Sequence, residues 1–259
     1  MVGHDVVVSW VLYALRLTMG LDEVRRTILR KEIKDNRVVE IGRTFGMDDT
    51  EADLLGYLDT IVNKRRKRYV LFTAMNMPDK DMQTHYQAFV VDHKNKTLHM
   101  IDPARKPKGQ QGIYGAHISE NTIAPFFRAH GFSVVWTRTS HPCQTSLHDV
   151  FCQTWSLILQ IHLVNHLMTP SSDKDIIIPI PTNQMARYGI LVDFYKHCVS
   201  DIKGICDEVT TEYSDIILHN PDIYGGSTNK KHRATIRSSL LHINPCDIVR
   251  DMTAKDMLP

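Results

Sequence analysis

The hydrophobic residues of this chain recur with two different periods, which predict helices towards both ends and strands in the middle. Helical spacing predicts helices over residues 6–33, 50–63, 121–130, 151–168 and 187–206. Runs rich in β-branched and aromatic residues predict strands over residues 69–73, 86–91, 97–101 and 132–138. The pattern therefore predicts an α+β fold, in which a small mixed sheet is flanked by helices and the chain carries helical additions at both ends.

Two of the predicted strands are joined by a short polar segment that resembles a turn. Residues 93–96, His-Lys-Asn-Lys, separate the strand at 86–91 from the strand at 97–101, and this arrangement predicts a hairpin. A hairpin brings the start of its first strand next to the end of its second. His85 and Asp102 are therefore predicted to lie at the same end of neighbouring strands.

The segments after the fourth predicted helix are less regular. Residues 176–181, Ile-Ile-Ile-Pro-Ile-Pro, contain too much proline for a central strand. From Glu208 onward the periodicity weakens, and Gly225-Gly226-Ser227 with the basic run at 230–233 predicts an exposed, mobile tail. The predicted organisation is an N-terminal helical extension (1–64), a central core (65–207) and a partly mobile C-terminal extension (208–259).

Composition and charge narrow the functional classes. The chain has 259 residues, 42% of them apolar, and a net charge of +2, so no overall electrostatic attraction draws it to nucleic acid. Its five cysteines form an odd and sparse set that does not indicate a disulfide framework. This predicts a reducing, intracellular location in cytoplasm, nucleus or virion. The apolar run 6–17 lacks a basic leader and a cleavage site and is too short to cross a membrane, so neither secretion nor membrane association is predicted.

One cysteine stands at the start of a predicted helix. Cys152 opens the apolar stretch 151–168, and Asp149 is placed to cap that helix. Backbone N–H groups and the helix dipole favour a thiolate in a first turn. Taken alone, Cys152 is better explained as a buried structural cysteine. Cys143 is the rival nucleophile, but Pro142 and the polar residues after it place it in a loop.

Three further residues supply the partners that a reactive thiol needs. Asp102 can orient His85 and stabilise its imidazolium form, and Gln144 offers an amide N–H donor eight positions before Cys152. Each has an ordinary alternative: a surface or core histidine among fourteen, a strand-ending turn, and a solvated loop glutamine. Their combination predicts the nucleophile, base, acid and oxyanion donor of a thiol hydrolase.

The order His85, Asp102, Gln144, Cys152, with strand, strand, helix, strand and helix around them, resembles the superfamily of ubiquitin-like-protein-specific proteases and adenovirus endopeptidases. The resemblance covers residues 65–170. Members usually carry an aromatic residue after the histidine, as Tyr86 does here, although tryptophan is commoner than tyrosine.

The residues around the cysteine depart from the common pattern of the family. Phe151 and Gln153 flank Cys152, whereas many members have Cys-Gly. The segment 152–156, Cys-Gln-Thr-Trp-Ser, resembles instead the Cys-x-x-Trp-Ser variant of proteases from large DNA viruses. The resemblance implies a papain-like fold of the adenovirus-endopeptidase type for the core 65–207, and substrate contacts for Tyr86 and Trp155.

The resemblance implies a cysteine endopeptidase that cleaves after small residues, often glycine, and favours a viral polyprotein as its substrate. One alternative is an isopeptidase that acts on conjugates of a ubiquitin-like protein. Another is an acetyltransferase that uses the same triad with acetyl-CoA, and a third is a silent binding module. A resident cofactor or metal is not expected.

Two other groups of residues have weaker functional interpretations. His162 and His166 lie four apart on one helix but lack the intervening glutamate of a metalloprotease, so a zinc site is the less favoured interpretation. The one dense basic run predicts a solvated turn, with weak nucleic-acid contact or nuclear import as the alternative. It consists of Lys64, Arg65, Arg66, Lys67 and Arg68.

Overall fold

We describe the protein from a computed structural model, which defines residues 3–46, 48–63, 67–76, 85–105, 118–145, 150–169, 176–220 and 229–258. The chain forms two compact units. The sheet unit is Leu29–Thr182, and the helical unit combines Met1–Ile28 with Asn183–Pro259. Every residue predicted to take part in chemistry belongs to the sheet unit.

Each helix and strand predicted from the sequence has a counterpart in the structure, which also contains elements that were not predicted, among them a strand at Val39–Phe45 and helices at Lys230–Leu241 and Pro245–Asp251. The helices are α1 (His4–Gly20), α2 (Asp22–Glu32), α3 (Glu51–Asn63), α4 (Ala124–Ala129), α5 (Cys152–Leu167), α6 (Gln184–Asp201), α7 (Ile205–His219), α8 (Lys230–Leu241) and α9 (Pro245–Asp251). The strands are β1 (Val39–Phe45), β2 (Tyr69–Asn76), β3 (His85–Asp92), β4 (Thr97–Ile101), β5 (Ser133–Trp136), β6 (Arg138–Thr139) and β7 (Ile177–Ile178). A π-helical turn (Ile118–Ile123) leads into α4.

The central sheet of the sheet unit is mixed, as predicted. Its five strands lie in the order β1-β2-β3-β4-β5. The inner pairs β2–β3 and β3–β4 are antiparallel, and the outer pairs β1–β2 and β4–β5 are parallel. Strands β6 and β7 form a separate parallel pair, so the proline-rich segment stays outside the central sheet. This mixed α/β architecture is compatible with the predicted α+β class.

The predicted hairpin is present and is closed by a buried acid. Asp92 ends β3 and accepts hydrogen bonds from the backbone N–H groups of Lys94 (2.9 Å) and Asn95 (3.1 Å). The register pairs Asp92 with Thr97 and Ala88 with Ile101. One further step of this register sets Gln87 opposite Asp102, so the start of β3 and the end of β4 meet at one end of the sheet.

The hydrophobic core of the sheet unit lies between the sheet and the helices α3 and α4. Alternate residues of β2, β3 and β4 point into it, as the period of a strand requires, and Leu58 and Phe127 come from the two helices. The start of α3 is confirmed as well, since Thr50 and Asp53 exchange hydrogen bonds as a capping box.

Helix α5 is attached to the sheet by polar side chains on one of its faces. Ser156 donates to the carbonyl of Tyr86 (3.2 Å), and the Gln160 amide donates to the carbonyls of Phe72 (2.9 Å) and Phe89 (3.1 Å). Cys152, Ser156 and Gln160 are spaced four apart, so they share a face of the helix. The helix that begins with Cys152 is thereby held against the strand that begins with His85.

The helical unit departs from the sequence predictions in three ways. The predicted helix 6–33 is two helices, because α1 ends at Gly20 and Leu21 is extended. The predicted helix 187–206 also divides, since Gly204 adopts a left-handed conformation (φ 88°) ahead of α7. The expected mobile tail was wrong for α7, α8 and α9, which are helices; Gly225-Gly226-Ser227 lies outside the described residues.

Cysteine pairing and unit boundaries also differ from the expectation. Cys206 of α7 and Cys246 of α9 form a disulfide across 40 residues, with Cα atoms 6.0 Å apart. These two cysteines are therefore paired, contrary to the expectation of unpaired thiols in a reducing compartment. The compact units also divide the chain differently from the predicted segments, because β1 belongs to the sheet although it falls within 1–64. No helix in the described ranges is long and apolar enough to cross a membrane.

We expect Gln160→Met to lower the free energy of unfolding by about 1–3 kcal/mol, because two buried strand carbonyls lose their donor while the volume of the side chain is kept. Urea unfolding monitored by circular dichroism measures this. The matched control is Gln153→Met on the same helix, which should change stability by less than about 0.5 kcal/mol. Equal stability of both variants would show that Gln160 does not hold the helix to the sheet.

Candidate active site

His85 and Asp102 meet at the end of the β3–β4 hairpin. The Nε2 atom of His85 lies 2.7 Å from Oδ1 of Asp102, and each side chain is only 1% exposed. The contact follows from the hairpin register, because His85 opens β3 and Asp102 directly follows β4. The structure thus brings the predicted base and acid together as the sequence implied.

The Asp102 carboxylate accepts two further hydrogen bonds, from groups that the sequence analysis missed. The backbone N–H of Ala104 donates to Oδ1 (2.9 Å), and the amide of Gln87 donates to Oδ2 (3.2 Å). Ser119 in turn donates its hydroxyl hydrogen to Oε1 of Gln87. The available signal was the alternation of the strand, which puts Gln87 on the same side of β3 as His85.

Cys152 is the first residue of α5 and is almost buried, with 7% of its surface exposed. Phe151 is the N-cap residue and its side chain makes no capping hydrogen bond, and backbone N–H groups at such a helix N-terminus favour an anion. The predicted cap, Asp149, lies outside the described residues. The helix position expected for an activated thiol is therefore present.

The environment of His85 favours its charged form. Burial by itself lowers the pKa of His85, but the hydrogen bonds to the side chains of Asp102 and Cys152, together with their charges, outweigh it and raise the pKa from 6.5 to about 9. Because Nε2 contacts Asp102, Nδ1 is the ring nitrogen through which His85 would take a proton from Cys152. His85 therefore interacts with both Asp102 and Cys152, as a residue that transfers protons to and from the thiol must.

Gln144 lies on a loop that is fastened to the turn after Asp102. The backbone N–H groups of Cys143 and Gln144 both donate to the carbonyl of Pro103, at 2.9 and 3.1 Å. Gln144 is buried, with 1% of its surface exposed. The anchoring explains how a loop residue is held at the same end of the sheet as Asp102.

The two residues assigned to substrate contact have different environments. Tyr86 is half-buried. Trp155 is completely buried and is among the largest side chains of the core. Trp155 has no exposed surface to offer, so its predicted contact with a substrate is not supported by its position.

The alternative chemical groups are less well placed. Cys143 is buried in a loop and not at a helix terminus. The described part of the chain contains no cluster of three or more histidine, cysteine or acidic residues that could hold a metal ion, and His162 has its pKa lowered by burial.

The predicted basic turn is only partly described, since residues 64–66 lie outside the described ranges. Lys67 donates to the carbonyl of Arg37. The Arg68 guanidinium lies 3.5 Å from the carboxylate of Asp92 and 4.6 Å from the centre of the Tyr69 ring. These two cations therefore have structural contacts within the sheet unit.

Comparison with models of known protein families finds no match for this chain, and comparison with curated proteins finds none either.

We expect the fold to lose stability between about pH 6.5 and 9. The folded-state pKa of His85 lies above its ordinary value, so its protonation stabilises the folded protein fully below pH 6.5, and this contribution disappears as the pH rises through 9. The loss should be on the order of 3 kcal/mol. Urea unfolding at several pH values measures it, in the wild type and in His85→Gln.

The His85→Gln variant should lack this pH dependence, whereas His232→Gln, which changes an exposed histidine of α8, should retain it. Identical curves for the wild type and His85→Gln would contradict the raised pKa of His85.

Proposed function

We propose that this protein is a cysteine peptidase in which Cys152 is the nucleophile and His85 the general base and acid. The observation that carries the proposal is the buried contact between His85 and Asp102 at 2.7 Å, combined with a thiol in the first turn of α5 that helps to raise the pKa of the same histidine. A carboxylate, an imidazole and a thiol in series are the working parts of a thiol hydrolase.

In the acylation step, the proton of the Cys152 thiol already resides on Nδ1 of His85, because the raised pKa of His85 favours its imidazolium form, and the thiolate sulfur attacks the carbonyl carbon of a peptide or isopeptide bond. Asp102 holds the ring and balances the charge of the imidazolium. The carbonyl oxygen becomes an oxyanion, which the backbone N–H of Cys152 and the Gln144 amide stabilise. His85 then protonates the leaving amine as the C–N bond breaks, and a thioester remains on Cys152.

In the deacylation step, His85 is neutral again and takes a proton from water. The resulting hydroxide attacks the thioester carbonyl, and the same donors stabilise the second oxyanion. Collapse of this intermediate breaks the C–S bond, releases the carboxylic acid product and returns the proton to the cysteine.

The type of peptidase follows from the order of the site residues. His85, Asp102, Gln144 and Cys152 occur in the order of the ubiquitin-like-protein-specific and adenovirus-type proteases, on a mixed sheet with a helix that begins at the cysteine. That resemblance supports a papain-like fold of this type and a substrate with small residues before the cleaved bond. Within it, the Cys-x-x-Trp-Ser segment supports a viral polyprotein as the substrate.

The proposal can be tested with a set of electrophilic probes. A peptide ending in Gly-Gly-vinyl sulfone and a ubiquitin-like protein with the same C-terminal group report thiol attack at a glycine carbonyl position. Radiolabelled acetyl-CoA with a lysine peptide reports acetyl transfer by the same triad. Labelling by either vinyl sulfone probe supports a peptidase, preference for the second probe indicates the isopeptidase alternative, and acetyl transfer without peptide cleavage would overturn the proposal.

We expect Cys152→Ala to abolish covalent labelling and peptide cleavage while it leaves the fold intact, because the change removes one sulfur atom from the start of a helix that is already held by Ser156 and Gln160. Intact-protein mass spectrometry measures the labelling. Cys143→Ala is the matched control, since it removes a second buried free thiol, and it should retain most of the activity. Loss of activity in Cys143→Ala alone would assign the nucleophile to Cys143.

We expect Gln144→Ala to lower kcat about 10²- to 10³-fold with little change in KM, which is the usual effect of removing one oxyanion donor. Steady-state cleavage of a fluorogenic peptide measures both constants. If the change raised KM and left kcat unaltered, Gln144 would be a residue that binds substrate in its ground state.

A further inference from the structure

A series of hydrogen-bonded polar side chains leads from His85 to the π-helical turn before α4. From His85 the contacts run to Asp102, from Asp102 to Gln87, and from Gln87 to Ser119 in the π-helical turn before α4. All four side chains are buried, Gln87 and Ser119 completely. Burying polar groups costs free energy unless they are hydrogen-bonded, so the positions of these four side chains depend on one another.

Strand register explains why Gln87 is the residue that reaches Asp102. Gln87 is two positions after His85 on β3 and therefore projects to the same side of the sheet. The register of β3 with β4 places it directly opposite Asp102. Its amide donates to Oδ2 at 3.2 Å, whereas His85 and the Ala104 N–H occupy Oδ1. Each oxygen of the carboxylate therefore has its own donor.

Ser119 determines which end of the Gln87 amide faces the carboxylate. A hydroxyl that donates to Oε1 fixes the carbonyl end on the side of Ser119, and the NH₂ end then points at Asp102. With the amide reversed, two oxygen atoms would face each other in a buried place. Ser119 therefore gives Gln87 one orientation.

We propose that Gln87, oriented by Ser119, is a positioning residue that prevents the Asp102 carboxylate from rotating and keeps its Oδ1 atom directed at His85. This inference rests on the proposed peptidase function, in which Asp102 must hold the imidazole ring in one tautomer and one position. Gln87 touches neither the thiol nor the substrate, and acts through Asp102.

The direction in which the two oxygens of Asp102 point is set by the torsion about its Cβ–Cγ bond. This torsion is soft in aspartate, and a buried carboxylate turns towards whichever donors are present. Without the Gln87 amide, Oδ2 loses its donor, and the carboxylate gains by turning both oxygens towards the Ala104 N–H and His85. The contact with Nε2 then becomes longer and less well aligned, so the stabilisation of the imidazolium form of His85 weakens.

Gln87→Met is the first test, because methionine keeps the length of the side chain and removes both amide groups. We expect kcat to fall about 10- to 100-fold with KM nearly unchanged, as a small misplacement of a catalytic group does. Ser119→Ala removes one hydroxyl from the chain with very little change in volume, so it tests the same idea where Gln87→Met fails to fold. It should lower kcat by a smaller factor in the same direction.

The second measurement needs no substrate. The ¹⁵N chemical shifts of histidine rings, recorded from pH 5 to 10 and assigned by their loss in His85→Gln, report the protonation and tautomer of His85. In Gln87→Met the titration midpoint of His85 should move down by about one pH unit from its wild-type value, because the negative carboxylate is no longer held against the ring. Ser119→Ala should move it in the same direction.

Gln160→Met is the matched control. Gln160 is also completely buried, sits in the same sheet unit and donates two hydrogen bonds, but these go to strand carbonyls. It should lower the thermal stability about as much as Gln87→Met and leave the midpoint and tautomer of His85 unchanged. A shift of the midpoint in both variants would overturn a positioning role and show only a general loosening of the sheet.

The two readouts separate this inference from the proposed function. If the wild type cleaves no peptide, the peptidase proposal fails, while the His85 titration still shows whether Gln87 holds Asp102. If the wild type is active and Gln87→Met and Ser119→Ala both keep its kcat and its His85 midpoint, the positioning role is excluded.

Discussion

A negative charge that is almost completely withdrawn from water constrains the end of the sheet where the candidate site lies. Asp102 keeps only 1% of its side chain exposed, so hydrogen-bond donors must replace water around both of its oxygens. The protein supplies three: the His85 ring, the Ala104 backbone and the Gln87 amide. The same arrangement that satisfies the carboxylate therefore orients an imidazole and raises its pKa. Stability and chemistry have a single physical origin here.

The second constraint is the placement of a helix terminus against a strand terminus. The side chains of Ser156 and Gln160 fasten α5 to strand carbonyls, and Cys152 lies on the same face of the helix. The helix that carries Cys152 is therefore held against the strand that begins with His85. Because the proposed nucleophile stands on a helix and the proposed base on a strand, their separation depends on the packing of two rigid elements. Such sites are held more precisely than sites on loops.

The proposed site residues are compatible with more than one acyl-transfer reaction. An acid, a base and a thiol in series perform acyl transfer, and the acceptor that reaches the thioester decides whether the product is a hydrolysed peptide, a released modifier or an acetylated amine. Trp155, for which the family resemblance implied a substrate contact, is completely buried.

Local patterns alone were enough for the parts of the protein that depend on neighbours in sequence. The polar turn at 93–96 predicted the hairpin, and the hairpin implied the meeting of His85 and Asp102. Apolar periodicity placed the start of α5 at Cys152 within one residue. Contacts between distant segments escaped prediction: Ser119 reaches Gln87 across 32 residues, and Cys206 pairs with Cys246 across 40. The periodicity of a sequence indicates which face of a helix or strand is buried. Which other element covers that face depends on the packing of all the elements together.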